Sequence, residues 1–355
     1  MTSRLAAKTL VAVLATIVAL AACEIVLRIV WRNPYRHESP DHLLKLRMHH
    51  PRTDHTYSRA LLDEDEALVR LRTDARSYIL PSFQHRNPDA TVTFLGGSTT
   101  ECSAVSEDVR FPALVSTLLA AEGLEVNTLN AARAGNNVHD SVNVLLNHVV
   151  VDRPQIAVLM HASNDVGVLR HAGNYGSSMG APVSLKHLLK WSAQIASSRC
   201  YLAGLLRQGA GRGSLRPRDP ATDWRQSEPP ADSATVRMYR QRLTAFVRMC
   251  RAFDIVPVLT TEPYSRHRTT LTPGWLEETS QDQFNDVIRE VGGTEGALVV
   301  DLETFLHEQV PDWDEPNKIF YDAIHVTEEG SRVYARHIVE RLRPVILGLR
   351  PAAEK

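Results

Sequence analysis

Five short aliphatic runs, Thr91–Leu95, Glu125–Leu129, Gln155–Met160, Ile255–Thr260 and Ala297–Asp301, are spaced along this chain with longer amphipathic stretches between them. Such runs read as buried strands. Glu107–Glu122 carries helical periodicity behind a Ser106 N-cap and stops at Gly123, and Val138–Val149 and Thr235–Phe253 repeat the pattern. Strand and helix in alternation predict a doubly wound α/β sandwich around a five-stranded parallel sheet. In that architecture, sites lie at the carboxyl ends of the strands.

At 355 residues, 43% of them hydrophobic, the chain can bury a full core. Forty basic against forty-one acidic side chains leave a formal charge of -1. No global field recruits polyanions, and nucleic acid is not an expected partner. Cys23, Cys102, Cys200 and Cys250 are far apart and form no C-x-x-C pair, which argues against a structural zinc site or a dense disulfide framework. Cys200 and Cys250 could pair in an exported chain. No HExxH, phosphate loop or dinucleotide fingerprint appears.

The amino-terminal segment leaves two readings open. Thr9–Cys23 is uncharged, and apolar character resumes through Ile25, Val26, Leu27, Ile29, Val30 and Trp31. Taken to Trp31 it is long enough to cross a bilayer, since about 20 helical residues span the hydrocarbon. Its only charges, Glu24 and Arg28, sit at i and i+4 near one end, where they can pair, Arg28 can snorkel and Trp31 can sit at the interface. Alternatively, Leu20-Ala21-Ala22-Cys23 resembles the lipobox of bacterial lipoproteins, behind a basic region holding Arg4 and Lys8, and Cys23 would carry lipid after cleavage. Either way residues 1–32 are the expected membrane anchor or signal segment, and the remainder is extracytoplasmic, periplasmic or at the cell surface. Residues 33–90 are polar and read as a connecting segment that packs partly on the main domain, 91–347. Within that domain Gly209–Ser233, rich in Gly, Pro, Arg and Asp, is a polar insertion that reads either as a mobile loop over the site or, preferably, as a solvated linker.

Four segments carry chemistry. The first predicted strand ends in Gly96-Gly97-Ser98-Thr99-Thr100-Glu101. A serine placed there is held rigidly, and the turn after it leaves amides free to face a developing oxyanion. The competing reading is a capping box between Ser98 and Glu101. The second strand leads into Asn130-Ala131-Ala132-Arg133-Ala134-Gly135-Asn136-Asn137 and the third into His161-Ala162-Ser163-Asn164-Asp165. The Gly135 amide and the Asn164 carboxamide are candidate donors alongside the Ser98 amide, although turn chemistry alone accounts for such residues. The fourth segment, Tyr321-Asp322-Ala323-Ile324-His325-Val326, precedes a terminal amphipathic helix with Thr327 as its expected N-cap. A serine hydroxyl needs a base, and the base works best when a carboxylate fixes its tautomer. Asp322 and His325, three residues apart in a tight loop, can supply both. Cys102 as rival nucleophile, His161 as a pocket residue and Glu262, Pro263 and Tyr264 as substrate contacts are weaker candidates.

In their joint order these blocks resemble the SGNH/GDSL hydrolases over about Thr91–Leu347. The resemblance implies a flavodoxin-like three-layer sandwich and ester or acyl chemistry without metal or cofactor. Its four named residues would be Ser98, Gly135, Asn164 and His325, with Asp322 as the acid. Gly97 stands where the family name has Asp and Thr99 where it has Leu, while Ala132 and Ala162 replace usual glycines. The expected activity is hydrolysis of a carbohydrate or lipid acyl ester through an acyl-enzyme on Ser98. An O-acyltransferase acting on a cell-envelope polysaccharide and a non-catalytic glycan-binding or assembly protein are the alternatives. Hydrolysis is favoured over transfer because Trp191, Trp224, Trp275 and Trp313 are scattered and form no evident sugar platform.

Overall fold

The computed structural model describes residues 2–31, 46–58, 68–175, 196, 200–211, 230–266 and 278–349. In chain order these hold α1 (Thr2–Val30), β1 (Asp54–Ser58), β2 (Leu68–Arg72), β3 (Ala90–Gly96), α2 (Ser98–Glu101), α3 (Phe111–Ala121), β4 (Val126–Asn130) and α4 (Val138–Asn147). There follow β5 (Ile156–Met160), α5 (Ser163–Ala172), α6 (Tyr201–Gly211), α7 (Ser233–Ala252), β6 (Val256–Thr260), α8 (Glu278–Glu295), β7 (Leu298–Val300), α9 (Leu302–Gln309) and α10 (Glu328–Leu349). The chain divides into two compact units, one of residues 1–45 and 181–218, the other of 46–180 and 219–355.

The larger unit is built on a five-stranded sheet in the order β4-β3-β5-β6-β7, every neighbouring pair parallel. β5 and β7 are apolar on both faces, β3 and β6 add threonine, and β4 buries Asn127, Thr128 and Asn130 beside Val126 and Leu129. Alternate positions point to opposite sides: Val92, Phe94, Val158 and Met160 join one core, Leu95, Ala157 and Leu159 the other. The first core is closed by Phe111, Val115 and Leu119 of α3 and by Tyr334, Ile338 and Leu342 of α10. The second is closed by Val138 and Leu145 of α4, Leu243 and Phe246 of α7 and Phe284 and Ile288 of α8. This is a three-layer α/β/α sandwich with the flavodoxin-like strand order. β1 and β2 pair antiparallel as a separate ribbon.

One helix start differs from expectation. Ser106 does not cap a helix beginning at Glu107; α3 begins at Phe111, with Arg110 as its extended N-cap (φ -58, ψ 133) and Pro112 in its first turn. Arg110 is buried, and its guanidinium donates to the carbonyls of Cys102 (3.1 Å) and Arg70 (2.8 Å). The Ser106 hydroxyl donates instead to Glu328, 2.5 Å away. Thr327 does cap α10, its Oγ1 accepting the Gly330 amide at 3.1 Å. All four cysteines are free: Cys250 is buried in the core, and the Cys200 thiol donates to Glu24 at 3.2 Å.

The smaller unit contains α1 and α6. The Glu24–Arg28 pair forms as expected, at 3.0 Å. The same carboxylate also accepts the backbone amides of Tyr201 (2.9 Å) and Leu202 (3.0 Å), so it caps the first turn of α6. The Arg28 guanidinium lies 5.4 Å from the Tyr201 ring centroid, and Trp31 meets that ring edge-on at 6.0 Å. Of the expected insertion at 209–233, residues 212–229 lie outside the described residues, as do Trp191, Trp224 and Trp275.

Candidate active site

The carboxyl ends of β3, β4 and β5 and the loop before α10 supply the site. At the end of β3, Gly97 is the N-cap of the one-turn helix α2 and Ser98 is its first residue, so the Ser98 amide has no acceptor within the helix. The capping-box reading of Ser98 and Glu101 does not hold, because α2 carries no side-chain cap. The Glu101 carboxylate turns away to accept the Ala134 amide at 2.5 Å and to share a hydrogen bond with His49 Nε2 at 3.1 Å.

Before α10 the chain makes a narrow loop closed by the bridge between Phe320 and Val326 and by the Tyr321 amide donating to the His325 carbonyl at 3.0 Å. Inside it, Asp322 Oδ1 accepts the amides of Ile324 (2.8 Å) and His325 (2.7 Å). Its Oδ2 lies 2.6 Å from His325 Nδ1, and His325 Nε2 lies 2.7 Å from Ser98 Oγ. The Tyr321 ring stacks on the imidazole at 5.6 Å with an 11° tilt. Two residues of one loop and a third 227 positions away thus form a single hydrogen-bonded line.

Gly135 is exposed on the loop after β4 and has φ +77°, a backbone angle costly for a residue with Cβ. Asn164, in the first turn of α5, donates Nδ2 to the Asn136 carbonyl at 2.7 Å, which orients the carboxamide and leaves its second amide hydrogen for another acceptor. Gly97 is packed against this arrangement. A Cβ there would lie 2.5 Å from Asn164 Nδ2 and 3.2 Å from the Asn136 carbonyl oxygen.

The weaker candidates resolve differently. Cys102 is buried, and burial pushes its thiol up to about 12, so it offers no thiolate at neutral pH. His161 does not line an open pocket; it is buried, its Nε2 sits 2.7 Å from Ser141 Oγ, and burial holds its imidazole down at about 3. Glu262 is also buried. Its Oε2 accepts the amides of Ala162 and Ser163, each at 2.7 Å, and its Oε1 accepts the Thr99 hydroxyl at 2.7 Å. Its carboxylate therefore joins the turn after Ser98 to the helix that carries Asn164, rather than reaching outward to substrate. Beside Asn164, Asp165 accepts the Val138 amide at 3.1 Å and the Tyr175 hydroxyl at 2.5 Å. The only sequence signal for Glu262 was its position just after a strand, which does not reveal the direction of a side chain.

A buried carboxylate, an imidazole and a hydroxyl in line suit attack on a carbonyl carbon. Among solved structures, the chain is similar to a lipase/acylhydrolase from Enterococcus faecalis (17% identity, TM-score 0.45, covering 72% of this chain and 96% of that one). It is likewise similar to an acetylxylan esterase from Geobacillus stearothermophilus (16%, 0.46, 72% and 95%) and to the acetyl xylan esterase AlAXEase (14%, 0.45, 70% and 98%). No curated protein matches. Residues 94–333 match the family described as GDSL-like lipase/acylhydrolase. That span is most of the chain, and the protein belongs to this family as an SGNH-type hydrolase of ester bonds.

Proposed function

We propose that the protein hydrolyses a carbohydrate or lipid acyl ester outside the cytoplasm through an acyl-enzyme on Ser98. The observation that carries this reading is the line Asp322 Oδ2–His325 Nδ1 (2.6 Å) and His325 Nε2–Ser98 Oγ (2.7 Å). His325 Nε2 takes the Ser98 proton as Oγ attacks the carbonyl carbon, and Asp322 holds the Nδ1–H tautomer and stabilises the imidazolium. The carbonyl oxygen, now anionic, lies among the Ser98 and Gly135 amides and Asn164 Nδ2. Collapse expels the alcohol, which takes the proton from His325. Water, deprotonated by the same imidazole, then releases the acid and restores Ser98.

Membrane attachment through residues 1–32 is part of the proposal, with the hydrolase domain at 91–347. It is supported by the 23-residue stretch Lys8–Val30, whose mean hydropathy is 2.7, and by the exposure of its large apolar side chains. The test combines a serine-directed fluorophosphonate with a short acyl ester. Labelling and turnover should both disappear in Ser98→Ala, and His325→Ala should lose about 10⁴-fold or more in kcat. Wild-type turnover by Ser98→Ala on every ester cleaved by the parent would refute the assignment. Protease protection of the folded domain in spheroplasts would refute the topology.

A further inference from the structure

Upstream of the region that matches the family, Leu46–His50 runs across the loop that carries Gly135. Its backbone is pinned there. Asn136 Nδ2 donates to the Arg47 carbonyl at 2.9 Å, the Arg133 guanidinium donates to the Met48 carbonyl, and the Met48 side chain is buried in the core. His49 shares its hydrogen bond with Glu101, the carboxylate that also accepts the Ala134 amide. Carbonyls, an imidazole and an apolar side chain therefore hold this segment to the loop, and the Arg47 side chain is not needed for that task.

The Arg47 guanidinium instead rests on the exposed corner of the loop. A Cβ added to Gly135 would lie 3.0 Å from Arg47 Nη2, so the cation sits directly against the Gly135 backbone. Among the described residues its hydrogen-bonding partners, Asp140 Oδ2 and the Ala134 carbonyl, are both 3.5 Å away, at the outer limit of a hydrogen bond, and 49% of the side chain is exposed. A guanidinium offers five N–H donors in a planar fork matched to carboxylate and phosphate. Here that fork is fixed at its base, loosely engaged at its tip and adjacent to a proposed oxyanion donor.

We propose that Arg47 binds an anionic group, a carboxylate or phosphate, carried by the ester substrate beside its scissile bond. The proposal rests on the assignment of Ser98 and Gly135 to the reacting centre, because only then does an ester carbonyl stand next to this cation. Among the described residues Asp140 is the acidic side chain facing the guanidinium, and its Oδ2 also accepts the Asn137 amide at 3.2 Å. An arriving anion would replace long contacts with short charge-assisted ones.

The test compares esters that differ in one charge. Phenyl acetate is the neutral reference; 4-acetoxybenzoate and 4-acetoxyphenyl phosphate place a carboxylate or a phosphate on the alcohol side, and phenyl hemisuccinate places a carboxylate on the acyl side. For full-length protein in detergent, Arg47→Gln should lower the ratio of kcat/KM for at least one anionic ester over the neutral one by about ten-fold or more, mainly through KM. Arg47→Lys should recover part of the ratio, and raised salt should erode it in the wild type. A ratio unchanged by Arg47→Gln for all three anionic esters overturns the proposal. Equilibrium binding of the same esters to Ser98→Ala, with and without Arg47→Gln, repeats the comparison without turnover. An error in the Ser98 assignment therefore remains distinguishable from an error about Arg47.

Discussion

The Thr99 hydroxyl and the Glu262 carboxylate, 163 residues apart in sequence, meet at 2.7 Å under the candidate nucleophile. Because Glu262 also accepts the Ala162 and Ser163 amides, one buried side chain fixes the distance between the Ser98 turn and the Asn164 helix. Replacing it with alanine would strand three buried donors, at about 1–3 kcal/mol each. Glu262→Gln is the gentler probe, since it keeps one acceptor oxygen and the volume. We expect it to lower kcat by about 10²-fold, the usual loss for one misplaced oxyanion donor, with a smaller change in KM. Steady-state kinetics on a neutral ester decides the matter, and a purely KM effect would place Glu262 at the substrate after all.

Gly97→Ala should impair the enzyme although the backbone there, with φ -90°, tolerates any residue. The added methyl would press on Asn164 Nδ2 and the Asn136 carbonyl. Restoring the aspartate of the family name, Gly97→Asp, should do more damage for the same reason. A double-mutant cycle tests the route: if Gly97→Ala acts by displacing Asn164, it should cost far less in an Asn164→Ala background. Full additivity would mean that the methyl acts elsewhere.

Asp165 predicts an unusual pH dependence of stability. Burial pushes its carboxyl up to about 8, against about 4 in an unfolded chain. Between those values the native state holds a proton that the unfolded state releases. The stabilisation is therefore complete below about pH 4, declines as pH rises and is gone above about pH 8. Asp165→Asn keeps an acceptor for the Val138 amide without the titration. Urea midpoints should fall less between pH 5 and pH 8 in this variant than in the wild type. Parallel curves would show that Asp165 is ionised in the native state throughout.

Glu24→Ala should free the first turn of α6, where two backbone amides lose their acceptor, at about 0.5–2 kcal/mol for a lost helix cap. Hydrogen exchange over Tyr201–Gly211 should accelerate. Unaltered exchange in that helix would show that the cap contributes nothing to its order.

Local pattern was enough to read the sheet and the long apolar helix and to mark four candidate site segments at strand ends and before the last helix, because strand burial, helical period and loop position are set within a few residues of each other. Asp322 and His325 were legible for the same reason: their geometry is made inside one seven-residue loop, Phe320 to Val326. Three things depended on tertiary structure. Ser106 looked like a helix cap, yet α3 begins only at Phe111, and the Ser106 hydroxyl is taken by Glu328, 222 positions away. Glu262 looked like a residue at the mouth of the site, yet its partners lie 99 to 163 positions away and draw the carboxylate inward. Arg47 carried no signal, since it lies in a polar segment 87 residues before the carbonyl that it approaches. A side chain's direction depends on which distant donors and acceptors the fold brings within 3 Å, and sequence periodicity does not encode that.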